Sequence, residues 1–296
     1  VVIITTKKGV AGKPRIEYNG SVTVSDIISQ QELLSGYQFV QLQQEIMDEE
    51  TFGLNYLQNG RTLESYRDDK EYDWQDAVFR TVITNNHYLS LSGLQGDLQY
   101  SASGSYLNQE GIIINSNLNK YQGRISLDQK VNEKLRLRLI ANAARTVRDG
   151  ADPTGGSNSM SNALMYSIWG YRPVSPSGSD LMEELYDDAI EMTEDYRFNP
   201  VHTAYNEFRK TTTDNFSING MLVYDIIKNL RFRATGAYQK VDYSNERFNN
   251  TKTKTGFYHD KNASYRGVNA FYSMNNRESL LNENTWTYQI RQKGHN

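Results

Sequence analysis

The strongest pattern in the chain is alternation. Apolar and polar residues exchange at every second position over stretches of about ten residues, the period of a strand with two unlike faces. Eight such stretches stand out, at roughly 15–25, 87–95, 98–107, 119–130, 134–145, 213–225, 230–242 and 281–291. Three connections between them are very short: Gly96-Asp97, Val131 to Glu133, and Ile226 to Asn229. The others are long, at 26–86, 108–118, 146–212 and 243–280. Short turns on one side and long loops on the other are the expected asymmetry of an antiparallel transmembrane β-barrel, with the short turns below. The expected fold class is therefore all-β.

The two faces differ in kind. One register reads Ile16, Tyr18, Gly20, Val22 and Val24 in the first stretch, and Leu89, Leu91 and Gly93 in the second. It continues as Leu135, Leu137, Leu139, Ala141 and Ala143, and as Phe216, Ile218, Gly220, Leu222 and Tyr224. The other four stretches behave alike at alternate positions from Leu98 to Tyr106, Tyr121 to Leu127, Leu230 to Tyr238 and Trp286 to Ile290, and none of these positions is charged in a chain that is 23% charged. The opposite register carries Arg15, Glu17, Arg124, Asp128, Arg136, Arg138, Arg231, Arg233 and Glu283. A charge facing lipid at mid-depth costs about 2–4 kcal/mol, whereas a wet lumen tolerates it. The uncharged register is thus expected to face lipid.

Aromatic residues gather toward the ends of the apolar register. Tyr18, Tyr100, Tyr224 and Phe232 are expected to form a lower belt, and Tyr106, Tyr121, Phe216, Tyr238 and Trp286 an upper one. Amphipathic rings favour the headgroup level at each membrane surface. Glycines recur mid-strand on the same face, among them Gly20, Gly93, Gly104, Gly123, Gly220 and Gly236. They either let neighbouring rings lie across them or permit curvature.

The long connections have structure of their own. Ser35 and Gln38 form a capping-box signal that opens a helix with Phe39, Leu42 and Ile46 on one face. The 146–212 connection is too long for an ordinary structureless loop. It holds Pro153, Pro173, Pro176 and Pro200 and an acidic, helix-like run from Asp180 to Asp195.

Composition narrows the function classes. No run approaches the ~18 apolar residues of a membrane helix or resembles a secretory leader. Mean hydropathy is −0.70, which leaves a membrane barrel open because its strands alternate. A net charge of −3 and the lack of basic stretches interleaved with aromatics point away from nucleic acid. With no cysteine in 296 residues, thiolate metal sites and disulfides are ruled out.

Four segments then resemble the SusC/RagA family of TonB-dependent outer-membrane transporters. Val1-Val2-Ile3-Ile4-Thr5-Thr6-Lys7-Lys8-Gly9 is similar to the last strand of that family's plug, ahead of the barrel. Asp73-Trp74-Gln75-Asp76-Ala77-Val78-Phe79-Arg80, followed by Asn86 to Gly93, resembles its run into the second barrel strand. Tyr100 to Gly111 is similar to its third strand and hairpin, and Tyr171-Arg172-Pro173-Val174 with Gly178 to a loop motif. The order of the four carries the resemblance from residue 1 to about 180. It implies 1–12 as the end of a plug domain and 13–296 as the N-terminal part of a barrel of roughly 22 strands. It also implies a chain that starts inside the last plug strand and stops at a periplasmic turn. A TonB-contacting segment would lie upstream of Val1. A SusD-like surface lipoprotein as lid and a glycan or oligopeptide substrate are what the family further implies.

Catalytic and cofactor chemistry finds little support. Asp73 and Asp76 flank Trp74 but read as caps or loop ties. His87, His202, His259 and His295 lack metal-ligand spacing. The acidic run lacks the alternating ligands and glycine of a calcium loop and reads as a solvated face. Lys7 and Lys8 read as an exposed strand exit. The arginines at 136, 138, 231 and 233 are expected to touch plug or lumen water. Tyr166, Trp169 and Tyr171 are weak substrate-binding candidates that could stack on a sugar or an apolar ligand, although packing within the loop is the commoner use. The expectation is a non-enzymatic outer-membrane importer without cofactor, bathed in outer-membrane lipid. The alternatives are an adhesin or anchor barrel, and a soluble carbohydrate-active β-protein. A plug segment ahead of the first strand favours the importer over the adhesin. A soluble protein should carry charge on both strand faces.

Overall fold

A computed structural model describes residues 14–154, 163–187, 197–258 and 267–290. Eight long strands form one sheet in the order β1-β2-β3-β4-β5-β8-β9-β10, with every neighbour antiparallel. They are β1 (Arg15–Ser25), β2 (Val82–Gln95), β3 (Leu98–Glu110), β4 (Asn117–Lys130), β5 (Leu135–Asp149), β8 (Glu207–Ile227), β9 (Leu230–Asn249) and β10 (Asn269–Tyr288). In the connection before β8, β6 (Tyr186–Asp187) and β7 (Arg197–Phe198) pair as a separate two-residue ladder. The turn at Gly96-Asp97 places Gly96 at φ +57, the left-handed backbone that a two-residue hairpin with glycine in first place requires.

All eight expected strands are present, and the sizeable differences fall at one end. Strands expected to stop at 107, 145 and 242 run on to Glu110, Asp149 and Asn249, and those expected to start at 87, 213 and 281 begin at Val82, Glu207 and Asn269. Every one of these extensions lies on the long-connection side. Alternation marks a strand only where one face meets lipid; above that level both faces are wet. Polar runs such as Asn108-Gln109-Glu110 and Thr211-Thr212-Thr213 stay in the ladder without showing the pattern. The expected 108–118 loop contracts to 111–116, closed by the Gly111 N–H donating to Ser116 O at 3.0 Å.

The sheet is inside-out. On its apolar register Ile16 is 71% exposed and Ile125 52%, with Val22, Leu89, Leu137, Leu139 and Phe216 also exposed. Apart from Val82 at the top of β2, every buried hydrophobic residue among those described lies in the connections. An apolar face this large and without a cover is incompatible with an ordinary soluble domain. It is the surface of a partial membrane barrel.

The belts need two corrections. Tyr106 stacks on Tyr121 at 5.0 Å, and Phe216 meets Tyr238 at 6.4 Å, as an upper belt would. Trp286, expected among them, pairs instead with Phe232 of the lower belt, ring to ring at 4.6 Å. β10 descends from Asn269, so Trp286 sits near its lower end. Tyr18, expected below, turns upward: its ring lies across Gly20 and its hydroxyl bonds His87 Nδ1 at 2.7 Å. Tyr100 likewise lies across Gly93, whereas no ring lies over Gly104, Gly123, Gly220 or Gly236.

On the opposite register the expected lumen arginines are largely paired. Arg136 Nε and Arg138 Nη2 both donate to the buried Asp128, at 2.6 and 2.7 Å, and Arg231 Nε donates to Asp225 at 2.6 Å.

Among the described residues β1 and β10 each pair on one side only. Hydrocarbon cannot satisfy the edge N–H and C=O groups. Residues 1–296 expressed alone are therefore expected to aggregate. The check is a gel-shift assay in detergent; a stable heat-modifiable band, or a conducting pore in bilayers, would contradict the open sheet.

Candidate functional site

The hydrophobic core of the molecule lies above the strands, where the β1–β2 and β5–β8 connections fold on each other. In the first connection are α1 (Gly36–Ile46), α2 (Glu49–Tyr56) and α3 (Trp74–Val78); in the second are α4 (Leu164–Gly170) and α5 (Pro200–Asn206). Each start but one has a side-chain cap that the sequence supplies. Ser35 and Gln38 close the expected capping box on α1, Asp48 accepts from the Thr51 N–H, and Asn199 accepts from the N–H groups of Val201 and His202. Asp73 accepts from the N–H groups of Gln75 and Asp76 at 2.9 and 3.1 Å, which makes it the cap of α3. The start of α4, at Ala163, has no such bond.

Two clusters form this platform. The first joins Trp74 and Val78 to Ala151, Leu164, Ile168, Tyr171, Leu181 and Ala204. The second gathers Val40, Phe52, Tyr56 and Tyr66 around Val174. The segments that carried the family resemblance interlock here. Trp74 meets Tyr171 edge-on at 5.0 Å, and its indole N–H donates to Arg172 O at 2.9 Å. The Tyr72 N–H donates to Pro173 O at 2.8 Å. Val174 lies so close to Gly36 that a Cβ there would sit 2.2 Å from Val174 Cγ1. Arg172, 5% exposed at its side chain, pairs with Glu184 at 2.5 Å, and Gly178 turns the chain at φ +78. The motifs are a fastener between two loops.

This packing corrects the expected face of α1. Phe39 borders the second cluster, but Leu42 and Ile46 are 40% and 63% exposed. The buried stripe is Gly36, Val40 and Gln43, because the contact of Gly36 with Val174 sets the rotation of the helix. The acidic run is corrected too, as far as it is described. From Asp180 it makes a turn and then β6, with no helix. The Asp180 carboxyl is held below its usual range, first by the Met182 N–H and then by the Tyr72 hydroxyl at 2.8 Å.

The three substrate candidates go to three different environments. Tyr171 is 3% exposed and packed against Trp74. Tyr166 is half-buried, with Arg197 at 5.7 Å and Lys254 at 5.9 Å from its ring. Trp169 is 47% exposed. A polar hollow of about 280 Å³, lined by Asn55, Gln58, Arg172, Ser177 and Glu184 among others, has none of the three in its lining. Sequence reasoning missed Phe52, Tyr56 and Tyr66, although the spacing of Phe52 and Tyr56 behind Asp48 was a usable helical signal. Among the described residues no cluster of His, Asp or Glu could hold a metal ion. The expected plug strand 1–9 with Lys7 and Lys8, residues 188–195 of the acidic run, His259, His295 and position 291 lie outside the described residues.

Comparison with known proteins follows the same line. No protein-family model matches the chain. It is 25% identical to TonB-dependent receptor P3 of Formosa agariphila over all of its own length and 27% of that protein. It is 34% identical to the TonB-dependent receptor SusC of Bacteroides thetaiotaomicron over 43% of the chain and 12% of SusC. Among solved structures, the RagAB peptide importer in its closed-closed state superposes with a TM-score of 0.66 at 19% identity, covering 97% of this chain and 34% of that one. The chain thus spans at most about a quarter of the curated relatives it matches.

Proposed function

We propose, from the premise that this chain is a partial barrel of the SusC/RagA-like TonB-dependent receptors, that the whole protein imports a bulky nutrient across the outer membrane. The substrate class is a glycan, an oligosaccharide or an oligopeptide, and the drive comes from TonB through a segment outside these residues. A SusD-like surface lipoprotein closes over the barrel mouth. The observation that supports this most is the platform: two connections, otherwise free to be short, build a folded body with its own core on the long-loop side. An importer must grip its cargo before the plug moves, and rigidly held loops at the mouth are where capture occurs. On that platform Leu42, Ile46 and Trp169 leave apolar surface exposed, as an anchor for a partner needs. Of the three aromatic candidates, Trp169 presents the most open ring for a sugar or peptide.

The experiment is gentle detergent extraction of the full-length protein, followed by identification of what co-purifies. Deleting 160–178 would take Leu164, Ile168 and Val174 out of both clusters, so exposed positions make the better test. Leu42→Asp with Ile46→Asp is expected to release a co-purifying lipoprotein at least tenfold while the barrel stays heat-modifiable. A barrel that purifies alone, with uptake unaffected by the substitutions, would sink the lid.

A further inference from the structure

Three strand ends meet in one row above the lipid level. Glu207 opens β8, Asn249 closes β9 opposite it, and Asn269 opens β10 opposite Asn249. Directly opposed residues carry their side chains on one face, about 4.5–5.5 Å apart at Cβ. The amide orientations along the row follow from its β10 end. Asn269 Nδ2 donates to Thr255 O at 2.8 Å and to Gly267 O at 2.9 Å, which leaves its Oδ1 to face Asn249 as an acceptor. That oxygen accepts from Asn249 Nδ2 at 2.9 Å. The bond turns Asn249 Oδ1 away from β10 and toward β8, where it is buried and has no donor among the described residues. A buried acceptor without a donor is costly.

Across the ladder from it stands Glu207, only 4% exposed. As a carboxylate it sets a second acceptor against Asn249 Oδ1, and two acceptors cannot bond. With a proton it becomes a donor, and the row is complete from β8 to Thr255. The surrounding charges leave room for that proton. Arg209 of β8 donates its Nε to Glu207 at 3.2 Å but also meets Asp152 of the β5–β8 connection at 3.6 Å. Arg247 acts on the carboxyl from β9, α5 brings His202 and Tyr205, and the 250–257 turn brings Lys252 and Lys254. Burial is the leading influence and holds the Glu207 carboxyl above the usual glutamate range, against the pull of Arg209.

We propose that Glu207 and Asn249 form a proton-operated latch at the foot of the platform. The protonated carboxyl donates to Asn249 Oδ1 while its other oxygen keeps the bond from Arg209, and loss of the proton opens the row. The folded protein holds this proton to a higher pH than an unfolded chain does. The latch's contribution is therefore complete below the usual glutamate range and is lost as pH rises through the raised value. Because the row ends on Thr255 O, opening it loosens the turn that buries Lys254, which is 8% exposed. The platform thus stiffens in mild acid and slackens in mild alkali.

The test is limited tryptic digestion of the full-length protein in detergent, following the cut after Lys254 from mildly acidic to mildly alkaline pH. Glu207→Gln offers an N–H to Asn249 and an oxygen to Arg209 at every pH, so the ratio of wild-type to variant cutting cancels the protease's own pH profile. That ratio is expected to be about one in mild acid and about fivefold higher in mild alkali, as one lost hydrogen bond allows. His202→Gln should keep the wild-type response. Asn249→Ala, which removes the acceptor, should be cut fast throughout and lose the response; heat-modifiability confirms that each barrel is folded. A ratio that stays flat with pH, a response that disappears in His202→Gln, or one that survives in Asn249→Ala overturns the latch.

Discussion

Replacing Trp74 by alanine is expected to unfasten the platform while leaving the barrel standing. The indole is 2% exposed, packs on Tyr171 and ties β-barrel loop to β-barrel loop through its bond to Arg172 O. Truncating a buried Trp costs about 3–5 kcal/mol, and a body of two small clusters has little stability to spare. Limited proteolysis of the full-length protein should show new cuts within 26–81 and 150–206, with the strands protected and the heat-modifiable gel shift retained. Trp74→Phe keeps most of the packing and loses one hydrogen bond, worth about 0.5–1.5 kcal/mol, so its platform should stay largely resistant. Proteolysis unchanged in the alanine variant would show that the two loops hold together without this contact.

Leu139→Arg is expected to lower barrel stability by about 2–4 kcal/mol. Leu139 is 40% exposed, midway along the apolar register of β5, with Leu135 and Ala143 at its ends. Ser126→Glu brings a charge to the other register one position away in the ladder, where Ser126 pairs with Ile140; it should change stability little. Urea titration of folding into lipid bilayers measures both. A penalty of similar size at the two positions, or a larger one at 126, would reverse the assignment of faces.

Much of the barrel was legible because lipid enforces a simple rule on alternate residues. Leu135 to Ala143 on one face and Arg136 with Arg138 on the other leave only one way to place the sheet. The rule loses force where lipid ends, which is why the Thr211 to Thr213 stretch and the upper half of β10 escaped it. It also fixes face more firmly than height: Trp286 was assigned the right face and the wrong belt. The platform was less legible, since its core joins residues about a hundred positions apart. Nothing local in Trp74 announces Tyr171, and nothing in Leu42 shows that Val174 will claim the neighbouring stripe of α1. The motifs around Trp74 and Tyr171 could be matched to a family by eye, yet their task, fastening loop to loop, appears only once they touch.

That fastening bears on how the upper surface would be recognised by an antibody. The 163–178 stretch turns Leu164, Ile168, Tyr171 and Val174 inward, so a free peptide of this sequence displays mainly side chains that the folded protein hides. What the platform shows outward is a mosaic, with Leu42 and Ile46 from one connection and Trp169 from another. Sera raised against linear peptides should bind the denatured chain on a blot and miss the intact one. Recognition of the native surface calls for an immunogen in which both connections are present and closed on each other.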